Sequence, residues 1–276
     1  MVHNACISLL SSRTKCLPLC LESIHKFYNY RYNYPIYVHY FDDIYDNFEV
    51  DTPNVEFIQV PYKTPEHIPE SEMFYNRDNA YAKRCFPKSR KGYLHMCNFI
   101  VNMYGYPNTK IHEHDYVIVF DDESGFVKEP TCFLHKTKQT GMAAMITGQR
   151  LKDGKIPQNH IDTREGFWGF AEGFTRGWPP IGITGETFHQ LCWSDGYVLQ
   201  TSIYETPLWK MWVEAINENG GIYKHRWGDN ELYSLFHYKH ARFKMPNIGL
   251  VKDGYLKQDL FRHIQSIAPG VKDNDR

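Results

Sequence analysis

The sequence predicts an α/β fold, a mixed and mostly parallel central sheet flanked by helices. Three observations carry this. The first sixty residues read as strand, helix, strand, strand, the opening of a layered α/β unit. The run Asp115-Tyr-Val-Ile-Val-Phe120 is apolar on both faces, as a strand covered on both sides must be. Two long amphipathic stripes at helical spacing lie on either side of that run.

Taken in order, Ala5–Leu10 is the first strand. A helix follows, with Pro18 in its first turn, where a missing N–H costs nothing, and Leu17, Leu21, Ile24 and Tyr28 on one face. Tyr34–Tyr40 and Val55–Val60 are the second and third strands. Residues 61–92 are polar, Pro-containing and rich in Arg and Lys, and read as a long excursion. A helix from about Lys91 to Tyr104 aligns Tyr93, Met96, Cys97, Ile100 and Tyr104 on one stripe. The strand from Asp115 stops abruptly at Asp121-Asp122-Glu123. Residues 148–186 are rich in Gly, Trp and Phe without periodicity, the composition of binding loops. Thr206-Pro207 opens a helix whose stripe is Leu208, Met211, Trp212, Ala215 and Ile216, and Gly220-Gly221 stops it. Ile222–His225 reads as a short strand. It leads into Arg226-Trp227-Gly228-Asp229 and a helix with Leu232, Leu235 and Phe236 inward. The tail after about Pro269 reads as frayed. No internal repeat is visible.

Composition narrows the function classes. A net charge of -1 leaves no basic footprint for nucleic acid. Aromatics at 16% suit a site that stacks flat or semi-apolar ligands, and equally suit a Tyr-rich core. The seven cysteines are irregularly spaced with no paired CxxC, which argues against structural zinc and for a reducing compartment. The apolar segment Ala5–Leu10 is too short for a signal sequence or a membrane span, and no Asn-x-Ser/Thr sequon occurs. The expectation is a soluble, cytoplasmic protein without a membrane span.

Two clusters carry chemistry. Asp121 and Glu123 have D-x-E spacing at a strand end, where open α/β sheets bind ligands. Such carboxylates can share a hard divalent cation, Mn²⁺ or Mg²⁺, with a diphosphate, the alternative being a solvated turn. Asp229, after Gly228, is either an N-cap, held by backbone N–H groups with a lowered pKa, or a site carboxylate fit for general-base work. Glu231 is a second acid nearby. Arg226 can pair with a phosphate or an acid. Trp227 can stack on a sugar or belong to the core.

The stretch Gly220-Gly-Ile-Tyr-Lys-His-Arg-Trp-Gly-Asp-Asn-Glu-Leu-Tyr-Ser-Leu-Phe236 resembles the fungal α-1,2-mannosyltransferases of the Golgi. Three more segments resemble that family in the same order: Lys26–Pro35, Gly92-Tyr-Leu-His-Met-Cys-Asn-Phe99, and the strand from Asp115, where Glu123 falls on the glutamate of a Glu-Pro-Asp metal motif. The resemblance spans most of residues 5–250. It implies a GT-A type nucleotide-sugar-binding fold in a single domain over 1–276. Residues of about 1–125 would form the nucleotide-sugar half and about 126–265 the acceptor half. It implies divalent-metal-dependent transfer of a sugar to a hydroxyl of a glycan or glycoprotein acceptor. The donor would be GDP-mannose or a UDP-sugar such as UDP-xylose or UDP-glucose. A non-catalytic carbohydrate-binding protein on a degenerate transferase fold is the alternative.

On this reading the metal ligands are Asp121 and Glu123, and the catalytic acids Asp229 and Glu231. Donor contacts are Ser11, Arg13, Asp42, Tyr93, Asp121, Asp122, Arg226 and Lys252. Acceptor contacts are Trp168, Trp193, Asp195, Tyr197 and Trp227. The chain departs from the family at three points. Tyr197 stands where a site glutamate follows Trp193-Ser194, Lys252 stands where the family has a metal-binding histidine, and the family's membrane anchor is not expected in this chain. His237 and His240 are candidate substitutes for that histidine. Without the glutamate the resemblance does not carry a retaining mechanism across, and an Asp-assisted direct displacement is favoured.

Overall fold

A computed structural model describes residues 3–11, 16–41, 50–61, 64–74, 90–122, 124–130, 134, 142–144, 165–174, 196–237 and 255–256. Its centre is a six-stranded sheet. The strands are β1 (Ala5–Ser11), β2 (Ile36–Phe41), β3 (Val55–Val60), β4 (Tyr116–Asp121), β6 (Met142–Ala144) and β7 (Gly196–Gln200), in the order β3-β2-β1-β4-β7-β6. The pairs β1–β2, β2–β3 and β1–β4 are parallel, and β7 runs antiparallel to both β4 and β6. A separate two-stranded ribbon joins β5 (Gly125–Phe126) to β8 (Tyr255–Leu256).

Alternation along the strands assigns side chains to two cores. Ile7, Leu9, Ile36, Val38, Ile118 and Phe120 pack on one face beneath helix α1 (Leu17–Phe27), with Leu17, Leu21 and Ile24 facing them. Cys6, Tyr37, Val117, Val119, Tyr197 and Leu199 pack on the other face. There they meet α2 (Arg90–Asn102) and α5 (Pro207–Asn219), together with α6 (Gly221–His225) and α7 (Asp229–Phe236).

The helix boundaries follow from their sequences. In α1, Pro18 occupies the first turn and His25 and Lys26 the last, where cations complement the helix dipole. Thr206 caps α5 by accepting the Trp209 N–H at 3.3 Å. Gly220 closes α5 in the left-handed region at φ 73°, its N–H donating to Ile216 O at 2.9 Å.

The structure corrects two readings. Ile222–His225 is not a strand but part of the short helix α6. The N–H groups of Tyr223 and Lys224 donate to Gly220 O at 3.0 and 2.9 Å, so a new turn starts at the residue that ended α5. An apolar run this short does not distinguish the two by period. Within the segment read as loop, Phe167–Phe174 is helix α3, burying Phe167, Trp168 and Ala171 despite its two glycines. Thr201–Tyr204 forms a further short helix, α4. Among the described residues no helix is long and apolar enough to cross a membrane.

Candidate active site

Strands β1 and β4 end side by side, with Leu10 opposite Asp121. Asp121 follows Val117 and Val119 by even steps, so it points to the face packed by α2 and α7. It is half-buried. Its backbone carbonyl closes the turn, accepting from Ser124 N–H at 3.0 Å and from Cys20 Sγ at 3.6 Å. Asp122 is buried, and its Oδ2 accepts from Ser11 Oγ at 3.3 Å across the strand ends. Ser11 therefore braces the acidic turn from β1.

Because β7 runs antiparallel to β4, its first residues reach this same end of the sheet. Tyr197 lies opposite Val119, which puts its side chain on the Asp121 face. Its phenol donates to Asp229 Oδ2. From α2, Cys97 Sγ donates to Asp229 Oδ1 at 3.4 Å. Tyr93, one turn before Cys97, faces the Arg226 guanidinium at 4.2 Å from its ring centroid.

The turn that presents Asp229 is tightly built. Arg226 ends α6 in the left-handed region at φ 63°, a conformation that costs a non-glycine residue about 1 kcal/mol. The N–H groups of Arg226 and Trp227 reach back to Ile222 O at 3.1 Å and Gly221 O at 3.3 Å. Trp227 packs over Gly221 so closely that a Cβ there would overlap the indole. Glu231 folds back over Gly228, whose missing Cβ makes the room.

Gly228, not Asp229, is the N-cap of α7, and Asp229 is its first helical residue. The capping role therefore falls away, and with it the lowered pKa. Burial pushes the Asp229 carboxyl up to about 6, the bond from Tyr197 opposes this, the Glu231 charge adds to it, and the Cys97 bond opposes it again. Burial also pushes the Tyr197 phenol well up, helped by Asp229 and, at longer range, Asp121. Tyr197 thus feels the charges of both Asp229 and Asp121.

The structure thus brings together Tyr93, Asp121, Tyr197, Arg226, Asp229 and Glu231. It draws Ser11 and Asp122 into a bracing pair behind them. Trp227 is core: its ring is 1% exposed, packs on Phe167 and Phe170, and donates from Nε1 to Glu165 O at 2.9 Å. Trp168 is buried in the same cluster. Neither ring presents a face on which a sugar could stack. His237 is buried against Tyr204, whose hydroxyl meets its Nε2 at 2.8 Å. Arg13, Asp42, Glu123, Trp193, Asp195, His240 and Lys252 lie outside the described residues. Shortly beyond Lys252, β8 returns to pair with β5, just after the acidic turn.

Cys97 was legible in the sequence as a residue of a helical stripe but not as a partner of Asp229. The available signal was its i, i+4 spacing from Tyr93.

Among the described residues no group of three or more His, Cys, Asp or Glu side chains converges on a metal position. Among the described residues Asp121 can supply the carboxylate share of a hard-cation site, in which one or two protein oxygens are supplemented by phosphate and water.

No protein-family profile and no curated protein sequence matches this chain. Solved structures do match. The mannosyltransferase Ktr4p from S. cerevisiae superposes with a TM-score of 0.62 at 16% identity, covering 84% of this chain and 65% of that one. Core-mannan synthase A from Aspergillus fumigatus, in a Mn/GDP form, superposes with a TM-score of 0.59 at 15% identity, covering 86% and 70%. The fold is the GT-A glycosyltransferase fold. The chain spans slightly less than two thirds of the yeast protein's own length.

Proposed function

We propose that this protein is a glycosyltransferase that moves a sugar from a nucleotide-sugar donor to a hydroxyl of a glycan acceptor. The observation that carries the reading is the joint position of Asp121 and Asp229. One ends the central strand β4 and the other is buried beside it at the ligand-binding end of an open α/β sheet, where Tyr197 donates to Asp229 and feels the charge of Asp121. Asp121 and Glu123 would hold Mn²⁺ or Mg²⁺, which when bound supplies Lewis-acid stabilisation of the leaving diphosphate. Arg226 and Lys252 would add positive charge for the phosphates, with Arg13 and Asp42 nearer the base.

GDP-mannose is the favoured donor, because the similar S. cerevisiae and A. fumigatus structures are described with GDP. UDP-xylose and UDP-glucose are the competitors. Asp229 is a suitable base for an acceptor hydroxyl, since a carboxyl held at about 6 is ionised at neutral pH yet more basic than an exposed one. That role gives direct displacement, so an α-linked donor yields a β-linked product. An α-linked product, read from the anomeric proton by NMR, would rule it out. The buried thiols of Cys6, Cys20 and Cys97 suit a reducing compartment such as the cytoplasm.

Nucleotide release from GDP-mannose and UDP-sugars with Mn²⁺ tests the reading. Turnover that disappears in Asp121→Ala and Glu123→Ala supports it. Absence of turnover with every donor would instead favour a carbohydrate-binding protein on this fold.

A further inference from the structure

Asp229 is 4% exposed, and its carboxylate is held by two neutral donors from two separate elements. The Tyr197 hydroxyl, from β7, donates to Oδ2, and the Cys97 thiol, from α2, donates to Oδ1 at 3.4 Å. A lone buried carboxylate is expected to neutralise by taking up a proton, because its charge is poorly solvated. Hydrogen bonds given to the charged form oppose this, one at each oxygen.

We propose that Tyr197 and Cys97 are positioning residues for Asp229: they fix the plane of its carboxylate between β7 and α2 and keep it a proton acceptor in a dry site. This rests on the glycosyltransferase reading only for its kinetic test.

The geometry gives the two donors unequal weight. The phenol is a full-strength O–H donor, whereas a thiol is a weak one. Tyr197 is also fixed from its own side, since strand register holds it opposite Val119 and its ring packs against Tyr233 at 5.9 Å between centroids. Cys97 is buried without any exposed surface and sits one helical turn from Tyr93. Other ionisable groups share the neighbourhood. Glu231 raises the energy of a charged Asp229. Tyr93 and Arg226 flank Cys97 from α2 and from the turn before α7. Tyr233 lies along α7, and Asp121 reaches Tyr197 from β4. Tyr197 and Cys97 give the Asp229 carboxylate side-chain hydrogen bonds that hold its pKa down, and the residue's own backbone N–H adds to them, so removing either side-chain donor acts on the carboxylate directly.

The test compares wild type with Tyr197→Phe, Cys97→Ala and Cys97→Ser. Phenylalanine keeps the ring and removes only the donor. Serine keeps a donor where alanine does not. With GDP-mannose and Mn²⁺, the acid limb of kcat/KM in Tyr197→Phe moves up by about one pH unit, a tenfold loss at low pH that is recovered at high pH. The limb in Cys97→Ala moves the same way by less, and in Cys97→Ser it stays near wild type. A fall of equal size at every pH, or an unmoved limb, would overturn the proposal, because a purely structural role lowers the rate without shifting the limb.

A second readout needs no activity. In unfolding experiments across the same pH range, the wild type is compared with Asp229→Asn, and Tyr197→Phe with Tyr197→Phe/Asp229→Asn. The loss of stability from ionising Asp229 starts at the unfolded-state pKa in both backgrounds, but the pH at which it levels off, set by the folded-state pKa, rises by the same unit when Tyr197 loses its hydroxyl. If no donor is turned over, the glycosyltransferase reading fails while this comparison still decides the role of Tyr197. If the donor is turned over and neither readout shifts, only the role of Tyr197 fails.

Discussion

Asp229→Asn separates the stability of this protein from its chemistry. In the folded chain the carboxyl is pushed up to about 6, against a reference of 3.8, and burial is the dominant cause. The folded-state pKa lies above the unfolded one, so ionisation penalises the fold. The full penalty applies above pH 6, fades as the pH falls through 6, and is gone below about 3.8. Two pK units and a little more correspond to about 3 kcal/mol. Asparagine carries no charge and avoids the penalty. Its carbonyl still accepts from Tyr197, while its amide meets the weakly accepting Cys97 sulfur, a loss of about 1 kcal/mol. The net expectation is that the variant is about 2 kcal/mol more stable than wild type at pH 8 and no more stable, or slightly less, at pH 4. At roughly 2–4 °C per kcal/mol for a chain of this size, the gain at pH 8 is roughly 4–8 °C in Tm. Urea unfolding at both pH values reads this directly. A variant less stable than wild type at pH 8, or a difference that does not change with pH, would refute the argument. Gain of stability with loss of activity is the expected mark of a functional carboxylate held in an unfavourable place.

Other positions give independent tests. His39 is buried between Ser8 and Phe99, and burial pushes its imidazole down to about 4. Its folded pKa lies below the unfolded value of 6.5, so the neutral ring is tolerated above that pH and stability falls between about 6.5 and 4, by about 3 kcal/mol in all. His39→Gln should flatten that stretch of the stability–pH curve, and an unchanged acid slope would contradict the assignment. Gly221→Ala drives a Cβ into the Trp227 indole and should destabilise by about 1–3 kcal/mol in urea unfolding. Gly169→Ala, on the exposed side of α3 with open space around it, should instead stabilise by about 0.5–1 kcal/mol. Equal effects at the two glycines would count against the close approach seen at Gly221.

Much of the fold was legible because its elements are long and strongly patterned. The strands at Ala5, Val55 and Tyr116 and the helices at Leu17, Arg90 and Pro207 fall within a few residues of where periodicity and capping signals put them. The misreadings share a cause. Ile222–His225 and Phe167–Phe174 are short aromatic-rich runs whose state is decided by what packs on them. The first is decided by the turn at Gly220, the second by the Trp212–Trp227 cluster that receives Phe170. The place of Asp121 at the end of β4 was legible from an apolar strand that ends in acid. The link between Asp229, Tyr197 and Cys97 was not, because it joins three elements more than thirty residues apart in sequence. Trp227 kept both of its readings open in the sequence, and its burial over Gly221 is a tertiary fact.

On the proposed reading, the end of β4 holds a metal-bound nucleotide beside, but separately from, the Asp229 carboxylate. Thermal shift with GDP, with and without Mn²⁺, tests it most directly on wild type, Asp121→Asn and Asp229→Asn. At 100 times its Kd the nucleotide stabilises by about 2.7 kcal/mol. A Mn²⁺-dependent shift is expected in wild type and Asp229→Asn and is lost in Asp121→Asn. A shift that ignores Mn²⁺, or one that survives Asp121→Asn and vanishes in Asp229→Asn, would contradict it.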